Sequence, residues 1–333
     1  IHMTADQQRM AYGVDFVSRR LYTLRFVDLN TQTTWDYEVP GTSGGFAWAA
    51  DGEHFFYATK DPVTLRVDKI WRQKLGNTAE PELVYHELDE TFSCGVFRSK
   101  SKAFIHIATG ATDVDELWYL DAKEPQGTFQ VLRARENGIE YSANHFGDSW
   151  FIRSNLGGRK NYALFKAPLT TPGDWEVYME ARPDVLLEGA EFFKDYLVTE
   201  ERSQGLVQLM IRPWDGSTPK PIAQEEETYS LYAGNNPTED TEWMRYGYTS
   251  LVTPSSTFEY NMRTGERRLL KQQEIMGGYD ADRFVTKRFW ATAADGSQIP
   301  MSWVGPKEAL NKPVPTLLYG YGSYGITIDP SFS

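Results

Sequence analysis

Cysteine is nearly absent from this sequence. Its 333 residues include one, Cys94, so no internal disulfide can form, and the usage fits a reducing compartment such as the cytoplasm. Lying outside any metal or redox pattern, Cys94 reads as a small core residue. No apolar run reaches the ~18 residues that a membrane-spanning helix needs, so no membrane partner is expected, and no leader peptide is visible. Cationic excess is missing too: 34 Lys and Arg stand against 46 Asp and Glu, a net charge of −12. Nucleic acid is therefore not an expected partner, because binding phosphates requires clustered Lys and Arg. An acidic field favours basic ligands or serves solubility alone. The five histidines, His2, His54, His86, His106 and His145, include no pair at metal-ligand spacing, and no metal or other cofactor is expected.

Helical spacing is nearly absent over the first 275 positions, and what replaces it is a repeat. Aromatic residues make up 14% of the chain, a composition suited to pleated surfaces. Strand-like runs recur at Met10–Val14, Phe55–Ala58, Phe104–Ile107, Trp150–Arg153, Tyr196–Thr199 and Met244–Tyr248. Their markers Tyr12, Tyr57, Ile107, Ile152, Val198 and Tyr246 stand 45, 50, 45, 46 and 48 residues apart. In the first unit the marker strand is followed by an apolar strand at Leu21–Phe26. A polar turn at Asn30–Gln32 leads to a short outer strand at Thr34–Tyr37, and then to the Gly-rich run Gly44–Trp48. Four strands per unit at this period predict a β-propeller, because one four-stranded sheet cannot cover both its faces and radial stacking does. A β-sandwich is the alternative, but it leaves so regular a period unexplained.

The pattern changes after Arg267–Lys271, expected as the last propeller strand. Phe284–Ala291 and Ile299–Val304 flank Asp295–Gly296 and predict a hairpin. Val314–Tyr319 reads as a buried strand of an α/β sheet and runs into Gly320-Tyr321-Gly322-Ser323-Tyr324-Gly325. With no helix or sheet neighbour after it, the C-terminal portion is expected to be truncated. Two motifs are decoys. Gly320-x-Gly322-x-x-Gly325 lacks the helix and acidic residue of a dinucleotide site. Gly41-Thr42-Ser43-Gly44-Gly45 matches a nucleophile elbow but lies between two strands, so Ser43 reads as a turn residue.

Thr249–Ser255, Thr264–Arg267, Leu270–Glu274, Gly277–Tyr279, Ala294–Gly296 and Leu318–Gly325 together resemble the prolyl oligopeptidase family of serine peptidases. Leu270-Lys271-Gln272 and Tyr321–Gly325 resemble its oligopeptidase B branch, as do Asp15–Arg20 and Pro62–Arg66 upstream. The resemblance implies a seven-bladed propeller capping an α/β-hydrolase domain. Six blades are visible, in a propeller expected over 1–276 and missing its first blade. Residues 277–333 are expected to be the first strands of the hydrolase domain, with the Ser, Asp and His of the triad beyond Ser333. It further implies a cytoplasmic oligopeptidase that cleaves short peptides after Arg or Lys, with the propeller restricting access; the partners are short basic peptides and the rest of the hydrolase domain. By the same resemblance, the Tyr321 hydroxyl is one donor of the oxyanion hole and Tyr324 lines the substrate pocket. Taken without the resemblance, Tyr321 reads as a packed aromatic in a turn. The rival reading is a non-catalytic propeller that serves as a binding scaffold.

Overall fold

The alternation of apolar runs with turn residues resolves into antiparallel sheets. The computed structural model describes residues 1–333 and divides into two compact units, Ile1–Glu180 and Ala181–Ser333. In the first unit, β1 (His2–Met3), β2 (Arg9–Val14), β3 (Tyr22–Asp28) and the first part of β4 (Thr33–Trp48) form one four-strand group. The remainder of β4 opens the next, with β5 (His54–Lys60), β6 (Val67–Lys74) and β7 (Glu82–His86). A third group contains β8 (Ser93–Arg98), β9 (Phe104–Gly110), β10 (Asp115–Asp121) and β11 (Gln130–Arg133). The fourth contains β12 (Tyr141–Phe146), β13 (Ser149–Ser154), β14 (Ala163–Pro168) and β15 (Glu176–Met179).

The second unit repeats the arrangement twice. β16 (Val185–Phe192), β17 (Tyr196–Ser203), β18 (Leu206–Pro213) and β19 (Lys220–Pro221) make one sheet. β20 (Ser230–Ala233), β21 (Trp243–Thr249), β22 (Ser256–Asn261) and β23 (Arg267–Gln272) make the other. A two-stranded hairpin follows, β24 (Phe284–Thr292) with β25 (Gln298–Pro306). No α-helix is present, and no helix is long and apolar enough to cross a membrane.

Each sequence marker falls on the second strand of its group. Tyr57, Ile107, Ile152, Val198 and Tyr246 are all buried. These strands read as near-continuous apolar runs because both faces of the sheet are covered there. Cores form where neighbouring sheets meet. Phe56, Ala58 and Ile70 pack with Cys94, Val96, Ile105 and Ile107 in the first unit, and Val198, Leu209 and Ile211 pack with Leu231, Met244 and Tyr246 in the second. Cys94 is thus a core residue, its thiol pushed up to about 12 by burial.

Two local expectations are corrected. The outer strand at Thr34–Tyr37 and the Gly-rich run Gly44–Trp48 are one continuous strand, β4, which pairs with β3 up to Thr42 and with β5 from there onward. The register shifts between Thr42 and Phe46. Gly44 absorbs the change at φ +94°, where a Cβ would lie 3.4 Å from the Tyr22 ring. Ser43 therefore sits in a strand irregularity, its Oγ accepting from the Gly45 N–H. The second correction concerns Val314–Tyr319, which forms no strand. A central strand exists only through its hydrogen-bonded neighbours, and no segment of these residues pairs with this one. Leu317 and Leu318 are 89% and 84% exposed.

Candidate functional site: the Gly320–Gly325 turn and its tethers

The Gly-rich run from Gly320 curls into a single 3-10 turn at Ser323–Gly325, with Tyr324 at φ +58°. Tyr324 is exposed and Tyr321 half-exposed. The Tyr321 hydroxyl has no hydrogen-bond partner among the described residues. The structure does not bring Tyr321 and Tyr324 together with any serine, histidine and carboxylate set.

What holds this turn lies on either side of it. Upstream, on β24, Lys287 pairs with Glu227 at 2.9 Å and the Arg288 N–H donates to the same carboxylate. The Arg288 guanidinium donates to the Gln204 carbonyl, and Pro300 of β25 rests on Gly205. Gln204 and Gly205 form the two-residue turn joining β17 to β18, with φ of 51° and 79°. A Cβ on Gly205 would stand 3.0 Å from Pro300 Cγ, so glycine is required both by its dihedral angle and by the docked hairpin.

Downstream, Asp329 accepts two hydrogen bonds from Arg202 on β17, at 2.6 and 2.9 Å. Pro330 is buried, and the Phe332 N–H donates to Thr249 Oγ1 at 3.1 Å. The Phe332 ring meets Tyr279 edge-on at 4.9 Å, and the Tyr279 hydroxyl donates to the Val252 carbonyl. The run Thr249–Ser255 supplies these acceptors through a compact turn in which Ser250 Oγ accepts from the N–H groups of Val252 and Thr253.

The electrostatics beside Arg202 are acidic. Glu200 sits two residues earlier on β17 and so on the same face. Burial, and then the neighbouring Glu188 carboxylate, raise it to about 7. The native state therefore holds this proton more tightly than the unfolded chain, and stability falls as pH rises from about 4.5 to 7. Glu200→Gln is expected to remove that slope. In chemical denaturation it should gain about 1–3 kcal/mol over the parent at pH 8 and nothing near pH 4, allowing for partial solvent screening.

Elsewhere the chain offers no catalytic grouping. No three His, Cys, Asp or Glu side chains converge as a metal site. His106 is lowered to about 4 by burial and stacks on Phe97. His145 Nδ1 bonds Ser101 Oγ at 2.8 Å, and burial lowers its pKa. One cavity of about 430 Å³ opens between the third and fourth groups, with Asp115, Glu116, Glu140 and Arg153 in its wall. Burial raises Asp115, whose carboxylate accepts from the Tyr141 N–H.

Residues 1–273 match the family model of the prolyl oligopeptidase N-terminal beta-propeller domain. The chain belongs to the prolyl oligopeptidase family. Among family relatives, dipeptidyl aminopeptidase BI of Pseudoxanthomonas mexicana is 40% identical over 99% of this chain and 46% of its own length. Protease 2 of Moraxella lacunata is 33% identical over 99% of this chain and 48% of its own. The structure of oligopeptidase B from Leishmania major superposes with a TM-score of 0.90 at 30% identity, covering all of this chain and 49% of that one. The chain thus spans about half the length of these relatives.

Sequence reasoning reached Tyr321 and Tyr324 but not the tethers. Arg202 and Asp329 stand 127 residues apart, and no local spacing links them. Two local signals lie near these contacts: Gln204-Gly205, which suits a tight turn, and Thr249–Ser255, which carries the resemblance.

Proposed function

We propose that this chain is the access-controlling half of a serine oligopeptidase that hydrolyses short peptides after Arg or Lys, and that it works in the cytoplasm. Its first 276 residues form the propeller filter, and residues 277–333 begin the hydrolase domain, whose Ser, Asp and His lie outside these residues. The observation that carries this reading is an exposed tyrosine hydroxyl, Tyr321, on a turn held at both ends, in a chain of this family. The proposed chemistry is electrostatic. Attack on the scissile carbonyl places negative charge on its oxygen, and the Tyr321 O–H donates to that oxygen. Tyr324 lines the pocket for the residue before the scissile bond. The net charge of −12 suits basic peptides.

The test is hydrolysis by the full-length polypeptide of three amides: an N-blocked peptide ending in Arg, a free dipeptide, and an N-blocked peptide ending in Pro. Preferential cleavage of the Arg amide, blocked by a serine-directed reagent, is the expected result. Cleavage of the free dipeptide amide alone would instead assign the activity in the name of the Pseudoxanthomonas relative, and no cleavage would favour a binding scaffold. The 333-residue chain by itself is expected to be inactive on all three.

A further inference from the structure

We propose that Arg202 is a positioning residue for the turn that carries Tyr321, acting by clamping Asp329; this rests on the oxyanion reading of Tyr321. Arg202 has five N–H donors and all are engaged. Nε donates to Glu188 Oε1 at 2.5 Å, and Nη2 to Glu188 Oε2 at 3.4 Å and Asp329 Oδ2 at 2.9 Å. Nη1 donates to Asp329 Oδ1 at 2.6 Å and to the Gly205 carbonyl at 3.3 Å. The side chain is 13% exposed, so the fork is fixed in plane and direction. Glu188 lies on β16 and holds the guanidinium from the sheet side; Asp329 takes its other edge. A lysine could supply the charge but not the two-sided fork.

The place of this clamp along the chain gives it its role. From Asn311 to Ile328, every hydrogen bond within the chain is to a residue of the same segment or to Asp329. Within these 333 residues, the first fixed point after Tyr321 is Asp329, eight positions on. Before Tyr321, the last paired residue is Pro306, opposite Phe284 in the β24–β25 hairpin, and Lys287, Arg288 and Pro300 fix that hairpin to Glu227, Gln204 and Gly205. Both sides converge on one turn, since Arg288 binds the Gln204 carbonyl and Arg202 binds the Gly205 carbonyl. The β17–β18 turn is thus the common base from which the Tyr321 loop is spanned. An oxyanion donor works only when it is preorganised, and a displacement of about 1 Å can cost around 100-fold in rate. Releasing Asp329 moves the downstream anchor on to Pro330 and Phe332 and so loosens the span, without touching Tyr321, substrate or the reacting atoms.

The test uses the full-length polypeptide with two readouts. Asp329→Asn and Arg202→Met are each expected to lower kcat about 10- to 100-fold with KM changed less than about threefold. The double variant should be no worse than the worse single one, because both remove the same contact. Arg202→Lys should fail to restore kcat. Independently of activity, hydrogen exchange of the segment containing the Phe332 amide should quicken in Asp329→Asn. Unchanged exchange in that variant overturns the clamp whether or not any peptide is hydrolysed. Quickened exchange with parental kcat, in an enzyme that Tyr321→Phe impairs, overturns the positioning role alone. If Tyr321→Phe leaves kcat intact, the oxyanion reading falls first and the positioning role with it.

Discussion

Tyr321→Phe in the full-length polypeptide is expected to lower kcat about 100- to 1,000-fold, equivalent to about 3–4 kcal/mol of lost transition-state stabilisation, with little change in KM. The asymmetry follows from when the hydroxyl acts. A ground-state carbonyl oxygen carries partial charge, while the tetrahedral oxyanion carries a full one, so the phenol donates most strongly after attack. The ring remains and is only half buried, so melting temperature should be unchanged. Tyr319→Phe is the control. Its side chain is 71% exposed, and it should be silent in both rate and stability. If Tyr319→Phe is the damaging change and Tyr321→Phe is near parental, the oxyanion donor has been assigned two residues out of register.

Arg135→Met should destabilise the first unit by about 3 kcal/mol at neutral pH. Arg135 Nη2 lies 2.6 Å from Glu87 Oε2 and 3.2 Å from Glu116 Oε1. Both carboxylates are almost fully buried, at 4% and 7% exposure. Burial alone would raise Glu87, but hydrogen bonds from Arg135, then Thr109, the Asp89 amide and Tyr85, outweigh it and bring the group to about 2. Removing the guanidinium leaves two buried carboxylates facing one another. The sign with pH follows from the depressed value. The stability that Glu87 contributes is complete above about 4.5 and is lost as pH falls toward 2. The deficit of Arg135→Met, measured by urea unfolding, should therefore be full at pH 7 and shrink at pH 3. An equal deficit at both values would mean that lost packing on the Phe92 ring, which the guanidinium overlies at 4.1 Å, matters more than charge.

What the sequence disclosed divides along physical lines. The second strand of every group was visible because burial on both faces leaves a run of apolar residues at a fixed period, as at Phe55–Ala58 and Trp150–Arg153. The hairpin at Phe284–Pro306 was visible because its turn chemistry, Asp295-Gly296, is local. β4 was misread because Gly41 and Gly44 look like breakers in a list of residues, whereas in the sheet they are the hinge points of one strand. Val314–Tyr319 was misread for the opposite reason: its apolar content suits a strand, but strand formation depends on neighbours that no property of the segment itself supplies. The tether of Asp329 to Arg202 and the group around Arg135 were invisible because their partners meet only through the fold. The candidate site was therefore half legible: the turn with Tyr321 could be read, and the contacts that hold it could not.

The continuity of β4 has a consequence for how the chain comes apart. Where successive sheets are joined by loops, each can open with only its packing against a neighbour lost, and repeat architectures tend to unfold piecemeal. The first two groups share a backbone strand from Thr33 to Trp48. Opening one of them pulls a strand from the edge of the other, exposing the cluster of Phe26, Phe46, Trp48 and Phe55 that straddles the crossing. Residues 2–86 should therefore behave as a single cooperative folding unit of double size, their strand amides exchanging with solvent together.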